Sequence, residues 1–264
     1  MPRRSPWLVR LFLRYLRRYL GRNFHAVRLA RANWPVDPGP GPLVVVMNHP
    51  SWWDPLVALL LTELFSDRGH YGPIDAAALG KYRFFERFGM FPVEQGTRAG
   101  ALHFLRCSQA VLAQTNNAVW ITAQGRFTDP RQRPLQLRAG VGHLVQRLRG
   151  GIILPLALEY PFWEERYPEV LARFGAPIPI GDGCDLSVDE WMTRIESALT
   201  AALDALAIDA KRRDASVFET LIGGNAGVGG VYDLWRRFKA MLTGKSFERA
   251  HSPVDLRSAL GGSL

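Results

Sequence analysis

The sequence predicts a single α/β domain with a mixed central sheet flanked by helices, preceded by an N-terminal amphipathic helix. Three observations carry this expectation. Short β-branched runs alternate with longer helical patterns between residues 43 and 158. The clearest of these runs, LVVVM at 43–47, AVWIT at 118–122 and IILPLAL at 152–158, are almost wholly apolar, as strands covered on both faces are. The chain has 264 residues, 47% of them hydrophobic, enough to bury one large core.

The elements follow in order. Residues 6–20 read PWLVRLFLRYLRRYL: Trp7, Leu8, Leu11, Phe12, Tyr15, Leu16 and Tyr19 keep helical spacing, and Arg10, Arg14, Arg17 and Arg18 take the other side. Arginine costs a few kcal/mol at bilayer depth, which argues against a spanning helix. Arginines interrupting the apolar run, with no small-residue cleavage site after it, argue against a signal peptide. Two readings stay open: an interfacial helix with its aromatic side among lipid headgroups, or a helix packed on the domain with its arginines merely solvated.

Residues 32–42 (ANWPVDPGPGP) read as a linker. After the strand at 43–47, residues 55–65 form an apolar helix, 74–79 and 90–93 are expected strands, and a short helix lies around 82–88. Thr97 is placed to cap a helix running to about Gln114. Residues 139–149 are expected to be helical and closed by Gly150 and Gly151, and 186–214 form a long amphipathic helix. GGNAGVGG at 223–230 reads as a loop that follows a helix, not a dinucleotide fingerprint. A second basic amphipathic helix at 231–242 is expected to dock on the domain. The resulting boundaries are a basic arm at 1–36, the main domain at 37–222, and the glycine-rich loop with its helix at 223–264.

Charge narrows the partners. Nine arginines precede the first acidic residue, Asp37, and they account for the whole net charge of +9. A basic arm suits nucleic acid, an acidic protein or anionic lipid. No recognised nucleic-acid module accompanies it, so the expected partner is an anionic membrane surface, bound peripherally from the cytoplasmic side. The two cysteines, Cys107 and Cys184, have no metal-ligand or disulfide-framework spacing, and no metal or resident cofactor is expected.

The chemistry sits in Asn48-His49-Pro50-Ser51-Trp52-Trp53-Asp54, between the first strand and the apolar helix. On a helix, five residues turn about 500°, so His49 and Asp54 could not share a face. With His49 just before the helix and Asp54 in its first turn, the carboxylate reaches back to one ring nitrogen. The other nitrogen is then free to take a proton from a hydroxyl. The alternative is a capping arrangement, Ser51 to Asp54, with His49 an ordinary loop residue. His70 and Asp75 repeat the spacing without the strand, the Asn or the Ser, and read as coincidence. No G-x-S-x-G elbow appears, which disfavours a serine hydrolase.

N-H-x-S-x-x-D after a hydrophobic strand resembles the first motif of the glycerolipid acyltransferases, the lysophosphatidic acid acyltransferase family. Three later blocks follow in that family's order over roughly residues 40–180: GMFPVEQGTR at 89–98, AVWITAQGRFTDP at 118–130 and IILPLAL around Pro155. The resemblance implies acyl transfer from acyl-CoA or acyl carrier protein, as co-substrate, to a lipid hydroxyl. It implies His49 as general base oriented by Asp54, and Asn48, Ser51, Arg98, Gln124, Gly125, Arg126 and Pro155 around the substrates. Three departures stand out. Gln95 replaces a family arginine, Gln124 an acidic residue, and Phe127 an arginine. Those family residues grip the acceptor's phosphate, so a neutral or zwitterionic acceptor is expected to outperform lysophosphatidic acid. A non-enzymatic membrane adaptor on the same fold remains the alternative, although it leaves His49 and Asp54 unexplained.

Overall fold

In the computed structural model, which describes residues 2–34, 39, 41–181 and 185–225, alternate residues of the central strands face two helical layers. The elements are α1 (Pro6–Asn23), β1 (Ala26–Ala30), β2 (Leu43–Met47), α2 (Asp54–Leu61), β3 (Gly69–Asp75), α3 (Ala76–Lys81), β4 (Met90–Val93), α4 (Arg98–Leu112), β5 (Asn117–Thr122), α5 (Gly140–Val145), β6 (Gly151–Glu159), β7 (Glu169–Phe174), β8 (Ile178–Ile180), α6 (Val188–Arg212) and β9 (Phe218–Gly223). The strands form one mixed sheet in the order β4-β3-β5-β2-β6-β7-β1-β9, with β8 pairing β6. Leu43, Val45 and Met47 share a core with α1 and α2, whereas Val44 and Val46 share the opposite core with α4, α5 and α6. Two-sided burial is why LVVVM has no polar alternation.

β2 lies between β5 and β6 and is parallel to both, with Met47 opposite Thr122 and Leu156. The C-terminal ends of three strands therefore open at one edge, the place where α/β sheets build sites. Thr97 caps α4 as expected, accepting from Gly100 N at 3.0 Å.

Several expectations change. The strand expected at 74–79 is instead the end of β3 followed by α3. Asp75 caps that helix, accepting from Ala77 N at 2.9 Å and Ala78 N at 3.1 Å, and the alanines continue it. α5 stops at Val145 because i→i+3 bonds, Arg147 N to Leu144 O and Leu148 N to Val145 O, tighten the chain beyond it. Residues 26–30, assigned to the arm, form β1 inside the sheet. Arg28 breaks their apolar pattern and is neutralised by buried Glu169 of β7, 2.9 Å away, which also holds His25 at 2.5 Å. The 223–230 stretch follows strand β9, not a helix, and the expected helix at 231–242 lies outside the described residues.

α1 presents two faces. Val9, Leu13, Leu16 and Leu20 are buried against the domain. Full burial of Leu16 and Leu20 stabilises that docking by about 1.5–3 kcal/mol each. Trp7 (61% exposed), Leu11 and Tyr15 (56% each) point away, in one row with exposed Arg14 and Arg18. Among the described residues, no helix is long and apolar enough to cross a membrane.

Candidate active site

β2 ends at Met47, and the chain turns sharply over the next six residues before α2 begins at Asp54. Asn48 fixes the departure. Its amide donates to Leu158 O at 2.9 Å and its carbonyl accepts from Leu158 N at 2.8 Å, so one side chain continues the ladder from β2 to β6. The turn brings the Asp54 carboxylate back under the imidazole. Asp54 Oδ2 accepts from His49 Nδ1 at 2.6 Å and from Ser51 N at 3.0 Å. Asp54 Oδ1 accepts from the Tyr160 hydroxyl at 2.6 Å. No side-chain bond caps α2, so the carboxylate serves the histidine and not the helix start.

Asp54 is fully buried. Burial pushes its pKa up, and the bonds from His49, Tyr160 and Ser51 oppose that rise by favouring the carboxylate. Burial also pushes the Tyr160 phenol well above its ordinary value, helped by the adjacent Asp54 charge, so Tyr160 is a fixed donor. With Nδ1–H donated to Asp54, the other ring nitrogen of His49, Nε2, is left as acceptor.

The turn after β5 holds the histidine's main chain from the other side. His49 N donates to Gln124 Oε1 at 2.9 Å, and Thr128 N donates to His49 O at 2.9 Å. Gln124 Nε2 in turn donates to Leu135 O at 3.0 Å. The Phe127 ring sits 4.5 Å from the imidazole, centroid to centroid, and is itself exposed.

His49 opens on a cavity of about 820 Å³, within the ordinary range of small-molecule sites. Met47, Ala58, Ile74, Met90, Phe104 and Trp120 give it apolar walls, and Asp75, Glu94, Gln95, Arg126 and Arg138 are among its polar lining residues.

The sequence-derived candidates divide accordingly. His49 and Asp54 are bonded to each other, and Gly125 and Arg126 line the cavity. Asn48 and Gln124 are buried with both ends of their amides engaged within the protein, so each holds the backbone of the site. Pro155 is buried in β6, Ser51 shapes the turn by donating its N–H to Asp54 and accepting from Trp53 N at its hydroxyl, and Arg98 starts α4 outside the cavity lining. His70 and Asp75 are not partners. His70 Nε2 donates to Phe65 O at 2.9 Å and Nδ1 accepts from Trp120 Nε1 at 3.1 Å.

Tyr160 and Arg138 were not found from sequence. Tyr160 had a usable signal: it directly follows β6, at the same sheet edge as His49. Arg138 had none, because it lies in a loop outside the four blocks.

Residues 30–159 match the family model described as Acyltransferase. The fold is similar to that of the 1-acyl-sn-glycerophosphate (LPA) acyltransferase PlsC from Thermotoga maritima. The TM-score is 0.53 at 13% sequence identity, over 76% of this chain and 80% of that one. No curated protein matches the sequence.

Proposed function

Since residues 30–159 match the acyltransferase family model, we propose that the chain moves a fatty-acyl group from a thioester donor, acyl-CoA or acyl carrier protein, to a hydroxyl of a lipid acceptor. The observation that carries this reading is the bond from His49 Nδ1 to buried Asp54, with the ring beside an apolar cavity. The acceptor hydroxyl gives its proton to His49 Nε2 as its oxygen bonds to the thioester carbonyl carbon. The tetrahedral intermediate collapses, the carbon–sulfur bond breaks, and the thiolate leaves with the proton from the imidazolium. The product is an ester and a free thiol, and no enzyme nucleophile takes part. Asp54 holds the tautomer and stabilises the imidazolium, as a buried carboxylate does in a triad.

The apolar cavity suits the acyl chain, each buried methylene contributing about 0.8 kcal/mol. Attachment to the lipid surface falls to the outward face of α1, where Trp7, Leu11 and Tyr15 enter the headgroup region and Arg14 and Arg18 meet anionic lipid. An aromatic chain, Tyr15 to Tyr19 to Trp53 to Trp52, runs from that face to the cavity lining. In this reading binding is peripheral, on the anionic cytoplasmic leaflet, and the acceptor enters toward His49 from the interface. The test is product identification: purified protein, anionic vesicles, one acyl thioester and a panel of lysolipids and neutral monoacyl acceptors, read by mass spectrometry. A new diacyl product with release of free thiol is expected. Thioester that stays intact with every acceptor would overturn the reading.

A further inference from the structure

Arg138 comes to the site from outside all four sequence blocks. Its main chain is tied to the turn after β5, with Arg138 N donating to Ala123 O at 2.9 Å. Its side chain then crosses that turn. Nε lies 3.4 Å from Gln124 O, and a terminal nitrogen lies 3.5 Å from Gln95 Oε1. Gly125 makes the crossing feasible: it has φ +62°, and a Cβ there would stand 2.4 Å from Arg138 Nε. The guanidinium therefore touches the two residues, Gln95 and Gln124, at which the resemblance leads one to expect charged groups.

Both of these contacts are long, and a guanidinium has five N–H donors, so most of its donor capacity is uncommitted. Arg138 has no carboxylate within ion-pair distance among the described residues. Arg131 and Arg133 of this loop are paired with the carboxylates of Asp129 and Asp204, and Arg126 donates to the Gln136 amide. Arg138 lines the same cavity as His49.

The surroundings select the charge of its ligand. A dianionic phosphate monoester calls for several charge-assisted donors. Here the cavity lining holds two guanidiniums, Arg138 and Arg126, the second bonded to the neutral Gln136, and the carboxylates of Glu94 and Asp75 line the same cavity. Two carboxylates offset two guanidiniums, so a second negative charge on the ligand is opposed, while the donors left on Arg138 match a single one. Building on the acyl-transfer reading above, we propose that Arg138 anchors the monoanionic phosphodiester of a lysophospholipid acceptor and so holds its free hydroxyl at His49.

The test compares wild type, Arg138→Gln and Arg138→Lys with one acyl thioester and three acceptors: lysophosphatidylglycerol as diester, lysophosphatidic acid as monoester, and a neutral monoacylglycerol. The wild type is expected to favour the diester over the monoester. Arg138→Gln should lower kcat/KM on the diester, mainly through KM, about tenfold more than on the neutral acceptor, the scale of one charge-assisted hydrogen bond. Arg138→Lys should recover part of that difference. Equal losses on diester and neutral acceptor, or none, would overturn the assignment. So would a loss that vanishes when acyl-CoA is replaced by a phosphate-free acyl thioester, because the arginine would then serve the donor. If the wild type acylates no acceptor, the acyl-transfer reading fails by itself. Calorimetric binding of a soluble short-chain lysophosphatidylglycerol then decides Arg138: roughly tenfold weaker binding by Arg138→Gln supports it, and equal binding overturns it.

Discussion

The Tyr160 hydroxyl donates to Asp54 Oδ1 at 2.6 Å while His49 Nδ1 donates to Asp54 Oδ2 at 2.6 Å, so one buried carboxylate joins the end of β6 to the histidine after β2. The consequence is that Tyr160 sets how firmly Asp54 stays ionised and oriented. It does so without touching the reacting atoms.

Tyr160→Phe is therefore expected to act on kcat and on the pH profile, with little change in KM. A hydrogen bond to a charged group is worth about 1.5–3 kcal/mol, so kcat should fall roughly ten- to a hundredfold. Losing that donor also raises the pKa of Asp54 further, since burial already raises it. The acid limb of the kcat–pH curve should move to higher pH. A variant with wild-type kcat and an unmoved acid limb would remove Tyr160 from the account.

His70 bears on stability. Burial lowers its pKa to about 4, and its two ring nitrogens are already bonded to Phe65 O and Trp120. The folded pKa lies below the ordinary 6.5, so the unfolded chain binds the proton more readily. The contribution is complete above pH 6.5 and is lost as pH falls toward 4, by roughly 3 kcal/mol at 1.36 kcal/mol per pKa unit. Thermal unfolding of wild type and His70→Gln across that window should show the difference between them narrowing as pH falls. Parallel curves would contradict it. Turnover of His70→Gln at neutral pH should stay within a few-fold of wild type.

The outward face of α1 gives a binding test. Replacing Trp7, Leu11 and Tyr15 together by Ala leaves the buried row Val9, Leu13, Leu16 and Leu20 in place, so the fold should persist. Partition onto anionic vesicles should weaken clearly. Wild-type binding should also fall as salt rises, because each surface arginine contributes about 1 kcal/mol and is screened within a Debye length. Unchanged partition of the triple variant would place lipid contact elsewhere.

What was legible in the sequence was what local physics determines. β2 was plain because LVVVM is buried on both faces, and the His49–Asp54 bond was foreseeable because it closes within one turn. β1 was hidden because Arg28 sits in mid-strand and its partner Glu169 is 141 residues away. α3 was mistaken for strand because the cap made by Asp75 decides it, and hydrophobicity alone does not. The bridge that the Gln124 amide makes between His49 N and Leu135 O joins distant segments, which spacing cannot reveal. Arg138 was invisible for the same reason, whereas Tyr160 could have been found from its place directly after β6.

The central claim is that His49 is the general base of acyl transfer. Its most direct test is the steady-state rate of transfer from one acyl thioester to a lipid hydroxyl, measured on wild type and on His49→Ala with fold checked by circular dichroism. Loss of a general base costs about 10²–10⁴ in rate, so His49→Ala should fall by at least a hundredfold while remaining folded. Turnover near wild type in that variant would contradict the account.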